Sequence, residues 1–158
     1  MKQVHWDLLL LEDDPNDLRL FQLALKLCGR FRSTFVAQDG DEAVSFLQRT
    51  RGEPLALAPN IIFTDLKMPG MDGFYFLAWL RDHPECAVTP TLVLSGSYID
   101  GDVQRAFDLG ANGFFVKPHH HSELLKILNA TLDFWSLSLR PPRSLLTCLH
   151  RSSAKHAP

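Results

Sequence analysis

The chemistry in this chain gathers where its apolar runs stop. Ile61-Ile62-Phe63-Thr64 ends abruptly at Asp65 and turns through a loop rich in proline and glycine, Met68-Pro69-Gly70-Met71-Asp72-Gly73. Leu8-Leu9-Leu10-Leu11 likewise runs into Glu12, Asp13 and Asp14. Carboxylates meeting at two strand ends repel one another, so keeping them ionised takes a compensating cation, and hard oxygen donors in this number favour Mg²⁺. Such a cation would neutralise the cluster and hold an incoming phosphoryl group, allowing a carboxylate, ordinarily a weak nucleophile, to form an acyl phosphate.

Two further strand ends supply what a phosphoryl group would need. Ser95 closes Leu92-Val93-Leu94 with a hydroxyl that can donate to a phosphate oxygen. Lys117 closes Phe114-Phe115-Val116 with an ammonium that can pair with one. Each is unremarkable alone, as a turn serine or a solvated charge. Their joint position at the same edge as the acids gives the functional reading its weight.

Positioning these groups requires a particular order of elements. Short apolar runs at Leu8–Leu11, Thr34–Ala37, Ile61–Thr64, Thr91–Ser95 and Phe114–Val116 alternate with segments of helical periodicity, giving five βα units. The predicted buried helix stripes are Leu18, Phe21, Leu25 and Cys28; Ala43, Phe46 and Leu47; Phe74, Leu77 and Leu80; Val103, Ala106 and Phe107; and Leu124, Ile127, Leu128, Thr131 and Trp135. Strands apolar on both faces belong in a parallel sheet sandwiched by helices, and right-handed crossovers distribute those helices over both faces. The expected fold is therefore α/β, a doubly wound five-stranded parallel sheet. Its ligand site lies beyond the carboxyl ends of the strands where the strand order reverses, the place expected for Glu12, Asp13 and Asp65.

Composition narrows the function further. The chain has 158 residues, 46% of them hydrophobic and 22% charged, with a formal net charge of -2, which favours neither nucleic acid nor a membrane surface as partner. Cys28, Cys86 and Cys148 are odd in number and widely spaced, which fits a reducing, cytoplasmic setting better than a disulfide framework. There is no apolar stretch long enough to span a bilayer and no secretory signal pattern. All 18 acidic residues precede Arg140, whereas Arg140, Arg143, Arg151 and Lys155 follow without an acid. With Pro141 and Pro142, this break divides a domain over residues 5–137 from a basic, flexible tail over 138–158.

Taken together, Glu12-Asp13, the run Asp65-Leu66-Lys67-Met68-Pro69-Gly70-Met71-Asp72-Gly73, Ser95-Gly96 and Lys117-Pro118 resemble the receiver domain of two-component response regulators over about residues 6–137. The resemblance implies a flavodoxin-like sheet of order 2-1-3-4-5. It implies phosphoryl transfer from a histidine kinase to Asp65, with Mg²⁺ held by Asp13, Asp65 and the backbone carbonyl of Lys67, and by Glu12 through water. Ser95 and Lys117 would bind the phosphoryl oxygens, a cis peptide before Pro118 would aim Lys117 inward, and Phe114 would fill the space that Ser95 vacates. Lys67 and Ser97 match positions that tune how fast receivers lose phosphate. Glu12-Asp13-Asp14-Pro15-Asn16-Asp17-Leu18-Arg19, the long connection before the third strand and Asp133-Phe134-Trp135 resemble, more narrowly, single-domain regulators that partner bacterial phytochrome-type kinases.

Several features stand apart from that pattern. Ser95 replaces the threonine common in receivers but keeps the hydroxyl. Tyr75 and Trp79 lie four residues apart on the flank of the third helix, where either a partner surface or a fold over a neighbouring helix or the 50–60 loop accounts for them. Consecutive His119, His120 and His121 point in different directions, so they read as a polar entry to the last helix rather than a metal tract. The expected function is a stand-alone, Mg²⁺-dependent phosphoacceptor. It would signal through the face made by the helix after the fourth strand, the fifth strand and the last helix, to a homodimer partner, a downstream protein or a phosphotransfer protein. The rival is a constitutive adaptor that is never phosphorylated. A phosphohydrolase reading is weaker, because Lys67 stands where its general acid would be.

Overall fold

The strands form because β-branched and leucine-rich runs bury both faces at once. In the computed structural model, which describes residues 5–50 and 58–139, they are β1 (Trp6–Leu11), β2 (Phe31–Ala37), β3 (Ile61–Thr64), β4 (Thr91–Ser95) and β5 (Gly113–Val116). The helices are α1 (Pro15–Cys28), α2 (Gly40–Thr50), α3 (Gly73–Arg81), a short α4 (Pro84–Ala87), α5 (Asp100–Asp108) and α6 (His121–Leu137). All pairings are parallel and the order is β2-β1-β3-β4-β5, as expected for a doubly wound sheet. The reversal falls between β1 and β3, the two strands that end in Glu12 and Asp65.

Alternate residues of each strand feed opposite layers. On one face Leu8, Leu10, Ile61, Phe63, Leu92 and Leu94 meet Phe21 and Ala24 of α1 and Leu124, Leu128 and Leu132 of α6. On the other, Leu9, Leu11 and Ile62 meet Ala43 and Leu47 of α2 and Phe76 and Leu80 of α3, while Val93 meets Phe74 and Leu77 of α3 and Ala106 of α5. The stripes expected of α1, α2 and α6 face the sheet, with α1 centred on Phe21 and Ala24. In α5 only Ala106 is buried; Phe107 is exposed, against expectation, because this nine-residue helix presents a single small side chain to the α3 layer.

Two elements differ from the sequence reading, and Trp79 takes the folded-over place rather than a partner surface. β2 begins at Phe31 rather than Thr34, because its backbone pairs with Trp6 and Asp7 and the Arg32 and Ser33 side chains both donate to the Asp7 carboxylate. α4 arises at Pro84, where proline suits a first helical turn. Trp79 is half-buried against the α2–α3 layer and stacks on His83 with ring centroids 3.9 Å apart, while the His83 Nδ1–H donates to the Trp79 carbonyl at 2.7 Å. Its cover is thus His83 beside α4; Tyr75 stays exposed. The expected basic tail after residue 139 and most of the loop before β3 lie outside the described residues.

Leu128 is fully buried between α6 and the sheet. Leu128→Ala is expected to lower unfolding free energy by about 2–5 kcal/mol. Urea denaturation measures this, and a near-neutral result would mean that α6 does not seal this layer.

Candidate functional site

The parallel register carries four strand ends to one edge. Leu11 pairs with Ala37 and Thr64, and Ser95 pairs with Val116. The backbone N–H of Asp65 donates to Leu11 at 3.0 Å, and that of Lys117 to Ser95 at 2.9 Å. Glu12, Asp65, Ser95 and Lys117 therefore follow directly on the sheet and inherit its rigidity. Carboxylate oxygens of Glu12, Asp13 and Asp65 all lie within 4.8 Å of one another. Glu12 and Asp65 are buried and Asp13 half-buried.

One ammonium bridges two members of this cluster and a third acid beside it. Lys117 Nζ lies 2.6 Å from Glu12 Oε2, 2.7 Å from Asp65 Oδ2 and 2.7 Å from Asp17 Oδ2. Its three N–H donors match three carboxylates. Burial works against its charge, but the hydrogen bonds to Asp17, Asp65 and Glu12 outweigh it and hold the proton beyond the ordinary lysine range. Burial is also the main influence on Glu12 and pushes its carboxyl above the usual range, even against the bond to Lys117. The two directions compete across a single contact. The 2.6 Å spacing is that of a charge-assisted pair, so the pair is ionised at neutral pH and Glu12 carries a desolvation cost there.

The remaining lone pairs are taken by backbone. Asp65 Oδ1 accepts from the Leu66 N–H at 2.6 Å and, more weakly, from Lys67 at 3.4 Å. Glu12 Oε1 accepts from the Asp14 N–H at 3.0 Å. Asp14 caps α1 by accepting from Asn16 and Asp17, and the Asp17 and Asn16 N–H groups hold its carboxyl below the usual range. Asp65 Oδ2 is left facing Lys117 and an open cleft lined by Asp17, Lys67, Ser95, Ser97, Tyr98 and Ile99.

Ser95 is buried, and its Oγ accepts from the Ser97 N–H at 3.3 Å; Ser97 Oγ donates in turn to Asp102 Oδ2 at 2.9 Å in α5. Phe114 is half-buried against the Val93–Ala106 layer. The expected cis peptide before Pro118 is corrected: no cis bond occurs among the described residues. Trans is the lower-energy form of an X-Pro bond, and Lys117 already reaches three acids from it.

Two residues of the site went unnoticed in the sequence. Asp17, quoted only within the run 12–19, has no site role in the sequence reading, yet its place in the first turn of α1 sets it at the same end of the sheet as Glu12 and Asp13. Gly73 packs so closely under the Asp65 backbone that an added Cβ would lie 2.0 Å from the Asp65 carbonyl oxygen. Its N–H donates to Leu66 at 2.9 Å, clamping the loop that follows β3. The clue was a glycine at the entrance of an otherwise apolar helix.

Glu12, Asp13 and Asp65, gathered at the reversal of a parallel sheet with an ammonium on two of them, have the donor chemistry of a divalent-cation site. Residues 8–129 match the response regulator receiver domain, and the chain belongs to that family. Among its relatives, response regulator Rcp1 of Synechocystis sp. is 31% identical over 81% of this chain and 87% of its own length. The crystal structure of the phosphorylated cyanobacterial phytochrome response regulator RcpA superposes with a TM-score of 0.75 at 32% identity, covering 88% of this chain and all of that one. The Mn²⁺-bound form of Rcp1 superposes with a TM-score of 0.72 at 31% identity, covering 87% and 99% of the two chains. Receiver domains bind a divalent metal at such an acidic pocket and partner with histidine kinases, and among the described residues no helix is long and apolar enough to cross a membrane.

Gly73→Ala is expected to displace the β3–α3 loop and lower stability by about 2 kcal/mol or more. Thermal unfolding with the amide spectrum of Leu66 and Lys67 reads both effects; an unchanged spectrum would refute the close contact. Glu12 offers a pH test. A raised carboxyl stabilises the fold below its ordinary value of 4.5 and loses that contribution as pH rises through the folded value. Metal-free Glu12→Gln is therefore expected to unfold at a higher temperature than wild type at pH 7, with the gap closing toward pH 4.5. A lower midpoint at pH 7 would show that the bond to Lys117 outweighs burial.

Proposed function

We propose that this protein is a cytoplasmic, stand-alone response regulator that takes a phosphoryl group from a histidine kinase onto Asp65. The observation that carries this reading is the pairing of Asp65 Oδ2 with Lys117 at the mouth of the cleft, beside Glu12 and Asp13. Oδ1 is occupied by backbone N–H groups, which leaves Oδ2 as the attacking oxygen. A new Oδ2–P bond forms as the phosphohistidine P–N bond breaks, and the released imidazole nitrogen takes up a proton. Asp13, Asp65 and the Lys67 carbonyl would hold Mg²⁺, with Glu12 reaching it through water. Bound there, Mg²⁺ supplies charge neutralisation for the carboxylates and the incoming phosphoryl oxygens.

Lys117 and Ser95 then serve the phosphoryl oxygens. Ser95 Oγ must give up the Ser97 N–H to do so, which loosens the Ser95–Ser97–Asp102 connection into α5. Phe114 follows into the space released, and the α5–β5–α6 face changes. That face exposes Phe107, Val116 and Phe134, which suits contact with a second copy, a downstream protein or a phosphotransfer protein. The likeness to Rcp1 and RcpA supports a phytochrome-like kinase as the phosphoryl source.

Intact mass after incubation with acetyl phosphate and Mg²⁺ tests the central step. Wild type is expected to gain one phosphoryl mass, lost in Asp65→Asn and in a chelated control. An unlabelled wild type, with a cognate kinase also present, would promote the constitutive adaptor instead.

A further inference from the structure

Asp17 belongs to none of the roles assigned above, yet it makes one of the three contacts to Lys117. Its partners in that task differ from it in kind. Glu12 and Asp65 are buried and belong to the cluster that would receive a divalent cation, and Asp65 Oδ2 is also the oxygen offered to a phosphoryl group. Asp17 lies outside that cluster, with its side chain 40% exposed at the rim of the cleft. A cation entering the cluster therefore competes with Lys117 for Glu12 and Asp65, and a phosphoryl group forming on Asp65 for that one carboxylate, while Asp17 is claimed by neither.

We infer that Asp17 is a positioning residue that anchors the Lys117 ammonium while a cation draws on Glu12 and Asp65. The anchor is well built for this. Pro15 starts α1, Asp14 caps it, and Asp17 sits in the first turn, where a negative charge is favoured by the helix N-terminus. The Asp17 N–H is fixed on Asp14 Oδ1 at 3.0 Å, so its backbone does not depend on Lys117 for position. With Asp17 in place, releasing Glu12 and Asp65 leaves the ammonium paired at the cleft mouth, within reach of Asp65. Without it, release would leave a half-buried ammonium without a protein partner, so Lys117 would hold the two acids more stubbornly against an incoming cation.

The inference rests on the receiver reading but is tested without a phosphoryl donor. Calorimetric titration with Mg²⁺ of wild type, Asp17→Asn, Lys117→Met and the double variant forms a double-mutant cycle. Asp17→Asn is expected to weaken Mg²⁺ binding by roughly 5- to 10-fold with Lys117 present and by less than about twofold in Lys117→Met, a coupling of the size found within one ion-pair network. Equal losses in both backgrounds would reduce Asp17 to a distant charge and overturn the inference. A second readout needs only the single variant. The side-chain ¹⁵N signal of the Lys117 ammonium is expected to stay protected in Mg²⁺-saturated wild type and to broaden away in Asp17→Asn; persistence in the variant would also overturn it. Failure of Asp65 to label with acetyl phosphate would remove the phosphoacceptor reading while leaving both readouts intact.

Discussion

The site depends on one buried ammonium. Carboxylates as close as those of Glu12 and Asp65 would not both stay ionised in a mostly buried setting without a countercharge. Lys117 supplies it, and its three hydrogen bonds join β1, α1, β3 and the end of β5 at a single atom. Removing the ammonium would leave buried negative charge uncompensated, whereas adding a divalent cation replaces its task. The same interaction thus offsets the charge of the pocket by means that a cation could replace.

That arrangement is possible only because the sheet edge is rigid. Parallel pairing sets Glu12 beside Asp65 and Lys117 one residue past Ser95 without any long side chain having to search for its partner. The layers on either face are closed by leucine, phenylalanine and alanine, leaving polar groups to gather at the carboxyl end. The loops there are tied down by short-range bonds: Asp14 to Asn16 and Asp17, Leu66 to Asp65, Gly73 to Leu66. With Oδ1 held by its own backbone neighbours, Asp65 presents one oxygen, Oδ2, to Lys117 and the cleft.

A mechanical link runs outward from the same edge. Ser95, Ser97 and Asp102 form a chain of two hydrogen bonds from the end of β4 to the first turn of α5. α5 buries Ala106 alone and adds the Arg105 guanidinium over the Phe74 ring at 4.2 Å, so it is less firmly seated than α1 or α6. Weak seating beside a chemically reactive pocket is where a local change is most easily converted into a surface change.

The sequence by itself determined the fold class, the order of elements and most of the pocket. Apolar runs ending in Glu12, Asp65, Ser95 and Lys117 can be read because a strand's period and its termination are local properties of the chain. The β2 start, α4 and the exposure of Phe107 could not be read, since each depends on what another segment offers in space. Only the tertiary structure decided that Asp17, 100 residues from Lys117 in sequence, would complete its coordination. It also decided that Gly73 must lack a side chain and that the Lys117–Pro118 bond is trans. The physical reason is common to all of these: hydrogen bonds and steric contacts between distant segments are set by how the helices pack on the sheet, and no local pattern of residues records that packing.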